Sequence, residues 1–432
     1  MTSEKRLEAF RNILTEAHNT FSLEFGFKLW DGSYIPQNYD PAGLYIAIAD
    51  EGVIAGLARK PKLDSLINAY VSGRLAIKNG SFFDLARKRP KGKAGKLART
   101  LSKSKLAHLA WLFWFAPTDI PKPLADVKGD EIARDGKPET NKTNVHYHYD
   151  VSNDFYKLFL DREMVYTCAY FKEWHDDIDR AQQDKLDMIC RKLRLKPGER
   201  MLDIGCGWGA LICHAAQHFG VHATGVTLAE EQAKLIQEKI SQLGLQDKVS
   251  VILQDYTQME GEFDKISSIG MFEQVGIVNH PEYFQSIHRL LRPGGLYLHH
   301  SIHRHAKKSD RRFKKLKPEY RALIRYIFPG GELDHLGMSV SNLERFGFEI
   351  HDSENWREHY QRTCRLWAER IEAQWDEAVK AVGEEKARMW LLYLSGCSLA
   401  FERNAVGIYQ TLASRRIRGP SELPPSRADL YC

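Results

Sequence analysis

A carboxylate directly follows a stretch that should be a buried strand. Residues 263–272 read FDKISSIGMF, and Glu273 comes next. Burying an unpaired carboxylate costs several kcal/mol or raises its pKa until the group is neutral. Glu273 is therefore either a structural group that a neighbouring donor satisfies or a group that shares a proton with a ligand. Taken alone, the stretch favours the structural interpretation, which is the more common one.

A glycine-rich loop in the same half of the chain could bind a nucleotide. The segment LDIGCGWGA places Gly205, Gly207 and Gly209 directly after a predicted strand. Glycine lets the backbone approach a ligand closely, and the N-terminus of the following helix offers free N–H groups. Gly205, Gly207 and Ala210 also match the G-x-G-x-x-A pattern of dinucleotide sites. The loop alone therefore leaves the nucleotide open.

Two features near the loop favour S-adenosylmethionine over a dinucleotide. A dinucleotide site needs an acid about 20 residues further on, at the end of the second strand, to bind the ribose. That position reads GVTLAEEQ, with Thr227 and Leu228 at the strand end and acids only in the next helix. Asp203, two residues before the first glycine, resembles the first motif of class I S-adenosylmethionine-dependent methyltransferases. An NAD enzyme and a purely structural turn are the alternatives.

The elements that must position these residues alternate between strand and helix from about residue 196. The segments ERMLDIGCG, HATGVTL, VSVILQDY and LYLHHSIH are predicted strands, and segments such as ALICHAAQHFG are predicted helices. The alternation predicts an α/β fold with a Rossmann-like, mostly parallel sheet that is covered on both faces and binds ligands at the carboxyl ends of its strands. From Arg304 onward the sequence is largely helical and aromatic, which predicts a helical cap.

Two domains are expected in a chain of 432 residues. Residues 1–115 are predicted to form a small N-terminal α/β domain with a basic linker, and residues 140–432 a second, larger domain. The N-terminus has no apolar stretch typical of a signal peptide. The stretch LAWLFWFA at 109–116 is too short to span a bilayer, which takes roughly 20 residues.

The seven cysteines are scattered and form no C-x-x-C pair. An odd number without such pairs argues against a disulfide framework and against a zinc site. We therefore expect no metal and a reducing, cytoplasmic location.

Two dense basic clusters stand out in a chain whose net charge is only +6. Residues 87–105 and 304–321 each contain nine Lys or Arg. Such clusters indicate an anionic membrane surface or nucleic acid as partner, with a solvated loop as the alternative. The aromatic segment at 109–116 lies close to the first cluster and favours a membrane. No nucleic-acid-binding motif accompanies the charges, so no nucleic-acid partner is expected.

A series of motifs then narrows the family. They are HYHYDVSNDFY (146–156), VYTCAYF (165–171), LDIGCGWG, GVTLAEEQ, LQDY, IGMFEQVG and YLSGC (393–397). In this order, and over roughly residues 140–410, they resemble the cyclopropane fatty acyl phospholipid synthase family, which includes the mycolic acid cyclopropane synthases. The D/N-P-P-Y/F signature of common nucleic-acid and amine methyltransferases is missing from the end of the fourth strand.

The resemblance implies an enzyme that transfers a methylene group from S-adenosylmethionine to the cis double bond of unsaturated phospholipid acyl chains, forming a cyclopropane ring. The alternative is C-methylation of the acyl chain to a methyl-branched or methylene product, and a different class is a noncatalytic lipid-binding protein. The implied location is cytoplasmic, peripherally associated with the inner face of an anionic membrane. A homodimer is a further expectation. Residues 1–115 resemble the lipid-interacting N-terminal domain of the longer bacterial synthases, and the resemblance makes residues 140–432 the catalytic domain.

The resemblance also implies the site residues, including those of a bicarbonate ion that acts as the base. His299 and His303 compete with His300, but strand alternation places His299 on the opposite face. Tyr360 could be ordinary helix packing, and the cysteines could be small apolar fillers. The bicarbonate residues are Cys168, Glu273, His300, Tyr360 and Cys397, and the S-adenosylmethionine residues are Tyr166, Thr167, Asp203, Gly205, Gly207, Thr227, Leu228, Gln232 and Tyr256.

Overall fold

In a computed structural model of this chain, strand and helix alternate as the sequence predicts. The structure describes residues 2–90, 103–118, 152–421 and 423–431. The chain divides into two units, Met1–Val127 with Gly383–Ser395 and Lys128–Val382 with Gly396–Cys432. Most of the first basic cluster, the proline-rich boundary and the first residues of the HYHYDV motif lie outside the described residues.

The first unit contains a small mixed sheet. Its strands are β1 (Gly26–Lys28), β2 (Tyr34–Ile35), β3 (Tyr45–Ile48) and β4 (Leu75–Lys78), in the order β2-β1-β3-β4. The helices are α1 (Ser3–Phe21), α2 (Glu51–Arg59), α3 (Leu63–Val71), α4 (Phe82–Arg87) and α5 (Lys103–Trp114). Asp50 caps α2 by accepting the Gly52 N–H and also accepts a hydrogen bond from Arg74. Apolar residues of helices and strands, such as Phe10 and Ile35, form the core.

The second unit is built on a seven-stranded sheet. Its strands are β5 (Arg200–Ile204), β6 (His222–Thr227), β7 (Val249–Leu253), β8 (Phe263–Ile269), β9 (Leu291–Arg304), β10 (Phe348–Asn355) and β11 (Val406–Arg415). Their order is β10-β11-β9-β8-β5-β6-β7, and only β11 runs antiparallel to its neighbours. The connections change direction between β5 and β8, and open α/β sheets bind ligands at the carboxyl ends of the strands at such a point.

Helices cover both faces of this sheet. Helices α7, α8 and α9 pack one apolar core, and α10 and α13 pack the core on the other face, which confirms the predicted α/β sheet. The helices of the unit are α6 (Asn153–Phe159), α7 (Ile178–Lys192), α8 (Ala210–Phe219), α9 (Glu230–Gln242), α10 (His280–Leu290), α11 (Asp310–Lys314), α12 (Pro318–Tyr326), α13 (Leu336–Arg345), α14 (Arg357–Ala373), α15 (Trp375–Val382) and α16 (Glu384–Glu402), the last of which begins within the first unit.

The prediction of a largely helical segment after Arg304 was wrong for two stretches. FEIHDSEN forms β10 and VGIYQTLASR forms β11, and these strands complete the sheet. β10 is an edge strand with mixed burial, so no apolar run marks it in the sequence. β11 is mostly buried but carries Gln410 and Thr411, whose polar side chains conceal the strand. Within the described residues, no helix has the length and apolar character to cross a membrane.

Candidate active site

The glycine loop takes a backbone conformation that favours glycine. Gly205, Gly207 and Gly209 have φ of +78°, +54° and +80°, in the left-handed region that L-residues avoid. The Gly205 N–H donates to the Val226 carbonyl at 3.0 Å, which ties the loop to β6. A Cβ atom on Gly207 would meet nothing within 4 Å, so this side of the loop is open to a ligand. Helix α8 begins at Ala210, directly after the loop.

Asp203 is buried below the loop and accepts a hydrogen bond from Ser267 Oγ at 2.7 Å, which joins β5 to β8. Burial raises the pKa of Asp203 to about 6, against the hydrogen bond from Ser267 and the charge of Lys185. Lys185 is a residue that sequence reasoning missed. Its Nζ donates to Thr167 Oγ1 at 3.1 Å, and burial lowers its pKa to about 8 although Asp161 opposes the change. The position of Lys185 on the buried face of α7 is the sequence signal that could have identified it.

The predicted cofactor residues lie at successive strand ends. Thr227 ends β6, and its Oγ1 donates to Gln232 Oε1 at 2.9 Å. Gln232 Nε2 is buried and has no hydrogen-bond partner among the described residues. Leu228 follows Thr227 directly, and Tyr256 begins the turn after β7, with its ring 5.5 Å from that of Tyr283. An unpartnered amide donor beside the glycine loop fits a polar cofactor such as S-adenosylmethionine.

The segment around Tyr166 and Thr167 closes the other side of this site. The Tyr166 ring centroid lies 5.4 Å from that of Tyr156 and 5.3 Å from that of Trp367. A Cβ atom on Gly270 would lie 2.8 Å from Thr167 Cγ2, so this segment packs against the end of β8. Aromatic rings therefore pack around Tyr166, and the neighbouring Thr167 contacts the end of β8.

Glu273 lies in a short 3-10 turn, Phe272–Gln274, just beyond β8. Its Oε1 accepts the Ile302 N–H at 2.7 Å, whereas its Oε2 is shielded from solvent and has no partner among the described residues. Burial raises the pKa of Glu273 to about 7, against the lowering effects of backbone hydrogen bonds and of His303. The carboxyl group can therefore hold or release a proton near neutral pH, and one of its oxygens is available to a ligand.

His300 lies on β9 beside the end of β8. The Gly270 N–H donates to the His300 carbonyl at 2.9 Å. The Nε2 atom of the His300 ring is buried without a partner among the described residues. Burial lowers the pKa of the His300 imidazole well below its ordinary value. His299 faces the other side of the sheet, where its Nδ1 lies 2.9 Å from the Tyr297 hydroxyl and its Nε2 lies 3.0 Å from Ser301 Oγ. His303 belongs to that second network, through Ser301 and Asp334.

Tyr360 lies on α14, with its ring centroid 4.9 Å from that of Phe401. Its backbone N–H donates to the Trp356 carbonyl, which also accepts from Cys168 Sγ at 3.8 Å. Burial raises the pKa of the Tyr360 phenol well above its ordinary value, and electrostatic interactions with Cys364, Cys168, Cys397 and Glu273 add to the rise. Burial also raises the pKa of Cys168 well above its ordinary value, so this thiol stays protonated and unsuited to act as a nucleophile. Cys364 was missed because it lies one helical turn beyond Tyr360 and belongs to no recognised motif.

The arrangement fits a small oxyacid anion as well as S-adenosylmethionine. Glu273 Oε2 and His300 Nε2 are unpartnered polar atoms near the end of β8, where Ile269 pairs with His300 on β9. One is able to share a proton and the other is able to donate one. Among the described residues, no group of three or more His, Cys, Asp or Glu side chains could hold a metal ion.

Comparison with known proteins identifies the family. Residues 136–411 match the family model described as mycolic acid cyclopropane synthetase. A probable fatty acid methyltransferase of Pseudomonas putida is 36% identical over 422 residues, covering 97% of this chain and 99% of that protein. The cyclopropane-fatty-acyl-phospholipid synthase of Escherichia coli (strain K12) is 40% identical over 270 residues, covering 62% of this chain and 67% of that protein.

A solved structure agrees with the sequence comparison. Mycolic acid cyclopropane synthase CmaA1 complexed with SAH and CTAB superposes with a TM-score of 0.59 at 32% identity, over 63% of this chain and 98% of that chain. The order of the sheet strands and the glycine loop point to the same fold class as these matches. This chain therefore belongs to the mycolic acid cyclopropane synthetase family and is an S-adenosylmethionine-dependent methyltransferase of class I fold.

Proposed function

We propose that this enzyme transfers a methylene group from S-adenosylmethionine to the cis double bond of unsaturated phospholipid acyl chains, forming a cyclopropane ring. The coarser activity, S-adenosylmethionine-dependent modification of lipid acyl chains, is what its relatives have in common. The observation that carries the finer proposal is the pair of unpartnered atoms, Glu273 Oε2 and His300 Nε2, near the end of β8, the strand that pairs with β5 and so adjoins the glycine loop. Ring closure needs a base, and these atoms are suited to hold one.

When bound, S-adenosylmethionine supplies an electrophilic methyl group and bicarbonate supplies a base. Glu273 can share its proton with such an anion, since a carboxylate and an anion repel each other unless a proton lies between them. The neutral His300 can donate from Nε2. Its ring centroid lies 5.2 Å from that of Trp356, whose carbonyl accepts from Cys168 Sγ and from the Tyr360 N–H. The remaining task of the chain is to hold a poorly nucleophilic alkene in line and to exclude water. The half-buried Tyr166 ring and the buried Trp367 ring are suited to this task.

A second candidate activity shares the first chemical step. The relative from Pseudomonas putida, which aligns with nearly the whole of this chain, is named a probable fatty acid methyltransferase. A methyl-branched alkene would form if the proton were lost from a chain carbon rather than from the added methyl group. A methylene product would form if a hydride first moved from the methylated carbon to the cation and the added methyl group then lost the proton. The two activities therefore differ in where the cation lies and which proton the base takes.

The test is the structure of the lipid product. We expect cells with unsaturated phospholipids to accumulate cyclopropane acyl chains when they express this chain, seen by the shielded ring methylene in proton NMR. Mild hydrogenation should saturate a branched alkene and leave the ring. Branched chains without cyclopropane would favour the second activity, and unmodified phospholipid acyl chains would contradict both.

We also infer that the enzyme works at an anionic membrane surface. The second basic cluster, 304–321, is within the described residues, and it exposes cations on and between α11 and α12. None of these exposed cations forms an ion pair with a described residue; they are Lys307, Lys308, Arg311, Arg312, Lys314, Lys315, Lys317 and Arg321. In the first unit, Trp111, Trp114 and Phe115 are 55%, 53% and 78% exposed. Exposed aromatic rings and cations are what an anionic interface attracts.

The second cluster is connected to the candidate site. The Arg304 guanidinium lies 4.0 Å from the centroid of the buried Phe313 ring, which holds α11 to the end of β9. The Arg304 N–H donates to the Asp334 carbonyl, and the Glu332 N–H donates to the Glu273 carbonyl at 2.9 Å. The basic segment thus adjoins the loop that packs against Glu273.

Replacing Lys307, Lys308, Arg311 and Arg312 with serine should weaken sedimentation with anionic phospholipid vesicles at least tenfold. Each cation near an anionic surface contributes about 1 kcal/mol, and salt screens exposed charges over about 8 Å at physiological ionic strength. Binding of the native chain should therefore weaken with added salt and be absent with neutral vesicles.

The matched control removes the same charge elsewhere. Replacing the exposed Lys5, Lys78, Lys248 and Lys386 with serine should change vesicle binding little. Equal binding by the cluster variant and the native chain would show that 304–321 is a solvated segment. Filter binding of nucleic acid that the cluster variant loses would assign the charges to nucleic acid instead.

A further inference from the structure

We propose that Gln410 and Lys192 are positioning residues that fix the proton of His300 on Nε2, so that this nitrogen is a permanent donor to the bound oxyacid anion. The inference rests on the proposed function, which gives His300 that role. Gln410 on β11 lies directly opposite His300 on β9 in the strand register. Its Nε2 is 3.0 Å from His300 Nδ1, and its Oε1 is 2.7 Å from Lys192 Nζ.

The order of donors and acceptors in this chain of contacts follows from Lys192. An ammonium group only donates hydrogen bonds, so the Gln410 oxygen must face Lys192 and the Gln410 amide N–H must face His300. His300 Nδ1 then has to accept, and a neutral imidazole that accepts at Nδ1 carries its proton at Nε2. That nitrogen is the one without a partner among the described residues.

Lys192 is held tightly enough to impose this order. Its side chain is 2% exposed and forms an ion pair with Glu354 on β10. The Nζ atom lies 5.0 Å from the Trp356 ring centroid, and the same ring meets the His300 ring edge-on at 5.2 Å. Burial lowers the pKa of Lys192, and the charge of Arg427 adds to this effect. The carboxylates of Glu354 and Asp352 raise the pKa of Lys192 and so oppose it. The positive charge of Lys192 also disfavours a second proton on His300.

A purely structural purpose explains this arrangement poorly. Burying an ammonium group is costly, and apolar residues of similar volume are often as stabilising as a buried ion pair. Lys192 and Gln410 belong to α7 and β11, which are far apart in sequence, and Gln410 connects Lys192 to His300. The contacts of Lys192 with Gln410 and of Gln410 with His300 have a functional purpose if binding of the anion requires a proton on His300 Nε2.

Nitrogen-15 NMR of histidine-labelled protein tests the proposal without any turnover. In the native chain, His300 should show a protonated Nε2 and an unprotonated Nδ1, assigned by the signal that the His300→Gln variant lacks. The Gln410→Glu variant offers only acceptors, so it should move a proton onto Nδ1. The Lys192→Met variant lets the amide rotate, so the two neutral forms of the ring should mix.

Activity gives the second readout. Gln410→Met and Lys192→Met should lower kcat by roughly tenfold, the effect of one neutral hydrogen bond, with unchanged affinity for S-adenosylhomocysteine. Added bicarbonate should restore part of the rate, which a general loss of packing would not allow. The matched control is Gln374→Met, because Gln374 Nε2 also donates one hydrogen bond, to the Leu158 carbonyl at 2.6 Å. This control should keep both the native ring signals and the native rate.

Two results would overturn the inference. One is a native His300 with its proton on Nδ1. The other is an unchanged His300 signal and an unchanged bicarbonate requirement in folded Gln410→Glu and Lys192→Met. If the native chain forms no cyclopropane but the ring signals respond as described, the proposed function fails and the positioning of His300 stands.

Discussion

Replacing Glu273 with glutamine should slow lipid modification by roughly 10²–10⁴-fold, the usual contribution of general acid–base groups. The amide oxygen can still accept the Ile302 N–H that Oε1 accepts now. In place of Oε2, the variant presents an NH₂ group, which cannot share an acidic proton with an anion. The affinity for S-adenosylhomocysteine, measured by calorimetry, should stay nearly unchanged. The carboxyl group belongs to the turn after β8 and not to the glycine loop.

The products of this variant carry further information. A cation that persists on the acyl chain can lose a different proton and give a methyl-branched alkene. This alkene and the cyclopropane have the same mass, so the product has to be judged by mild hydrogenation and by proton NMR. We expect the residual product of Glu273→Gln to contain more branched alkene than that of the native chain.

Glu332→Gln is the matched control for this experiment. Glu332 Oε2 accepts the Ile277 N–H at 2.9 Å, so this glutamate too has an oxygen bound to a backbone donor in the same part of the structure. The control should retain the native rate and product. A native rate and a native cyclopropane yield in Glu273→Gln would mean that Glu273 is structural.

The same variant should also alter how stability depends on pH. The pKa of Glu273 is raised from 4.5 to about 7 on folding, so the folded chain retains a proton that the unfolded chain has already lost. The stabilisation from this group is therefore present at low pH and is lost as the pH rises through about 7. As the pH rises from about 4.5 to about 7, the native chain should lose free energy of unfolding relative to Glu273→Gln.

Replacing Gly205 with valine should abolish measurable binding of S-adenosylhomocysteine. At this position φ is +78°, and an added Cβ atom would lie 2.7 Å from Met271 Cγ and 2.9 Å from Met271 Cβ. The valine therefore has to displace Met271 or the loop, and both border the strand ends where the cofactor should bind. Isothermal titration calorimetry on folded protein measures the loss.

Gly198→Val separates this effect from backbone strain. Gly198 has a similar φ of +81°, but a Cβ atom there would meet nothing within 4 Å. Both variants should lose about 1–2 kcal/mol of stability from the left-handed conformation. Only Gly205→Val should lose the cofactor, and a folded Gly205→Val with native affinity would contradict the assignment of the loop.

The sequence by itself determined the type of fold and the family. The spacing of Asp203, Gly205 and Gly207 at the end of a strand depends on local backbone requirements, and so does the lack of an acid at the strand end formed by Thr227 and Leu228. Strand and helix periodicity is likewise local, so the parallel sheet covered on both faces was predicted correctly. Strands β10 and β11 were missed because their residues are polar or mixed, and their pairing partners are distant in the chain.

Only the tertiary structure decided how the site residues are satisfied. It showed that Ile302 binds one oxygen of Glu273 and leaves the other available, and that Gln410 and Lys192 reach His300 from two other elements. Burial, pKa and the choice between ring nitrogens depend on groups that lie many residues away and meet only after the chain has folded. A sequence motif can place a glutamate or a histidine at a strand end, but the long-range contacts determine which of its atoms remains free for chemistry.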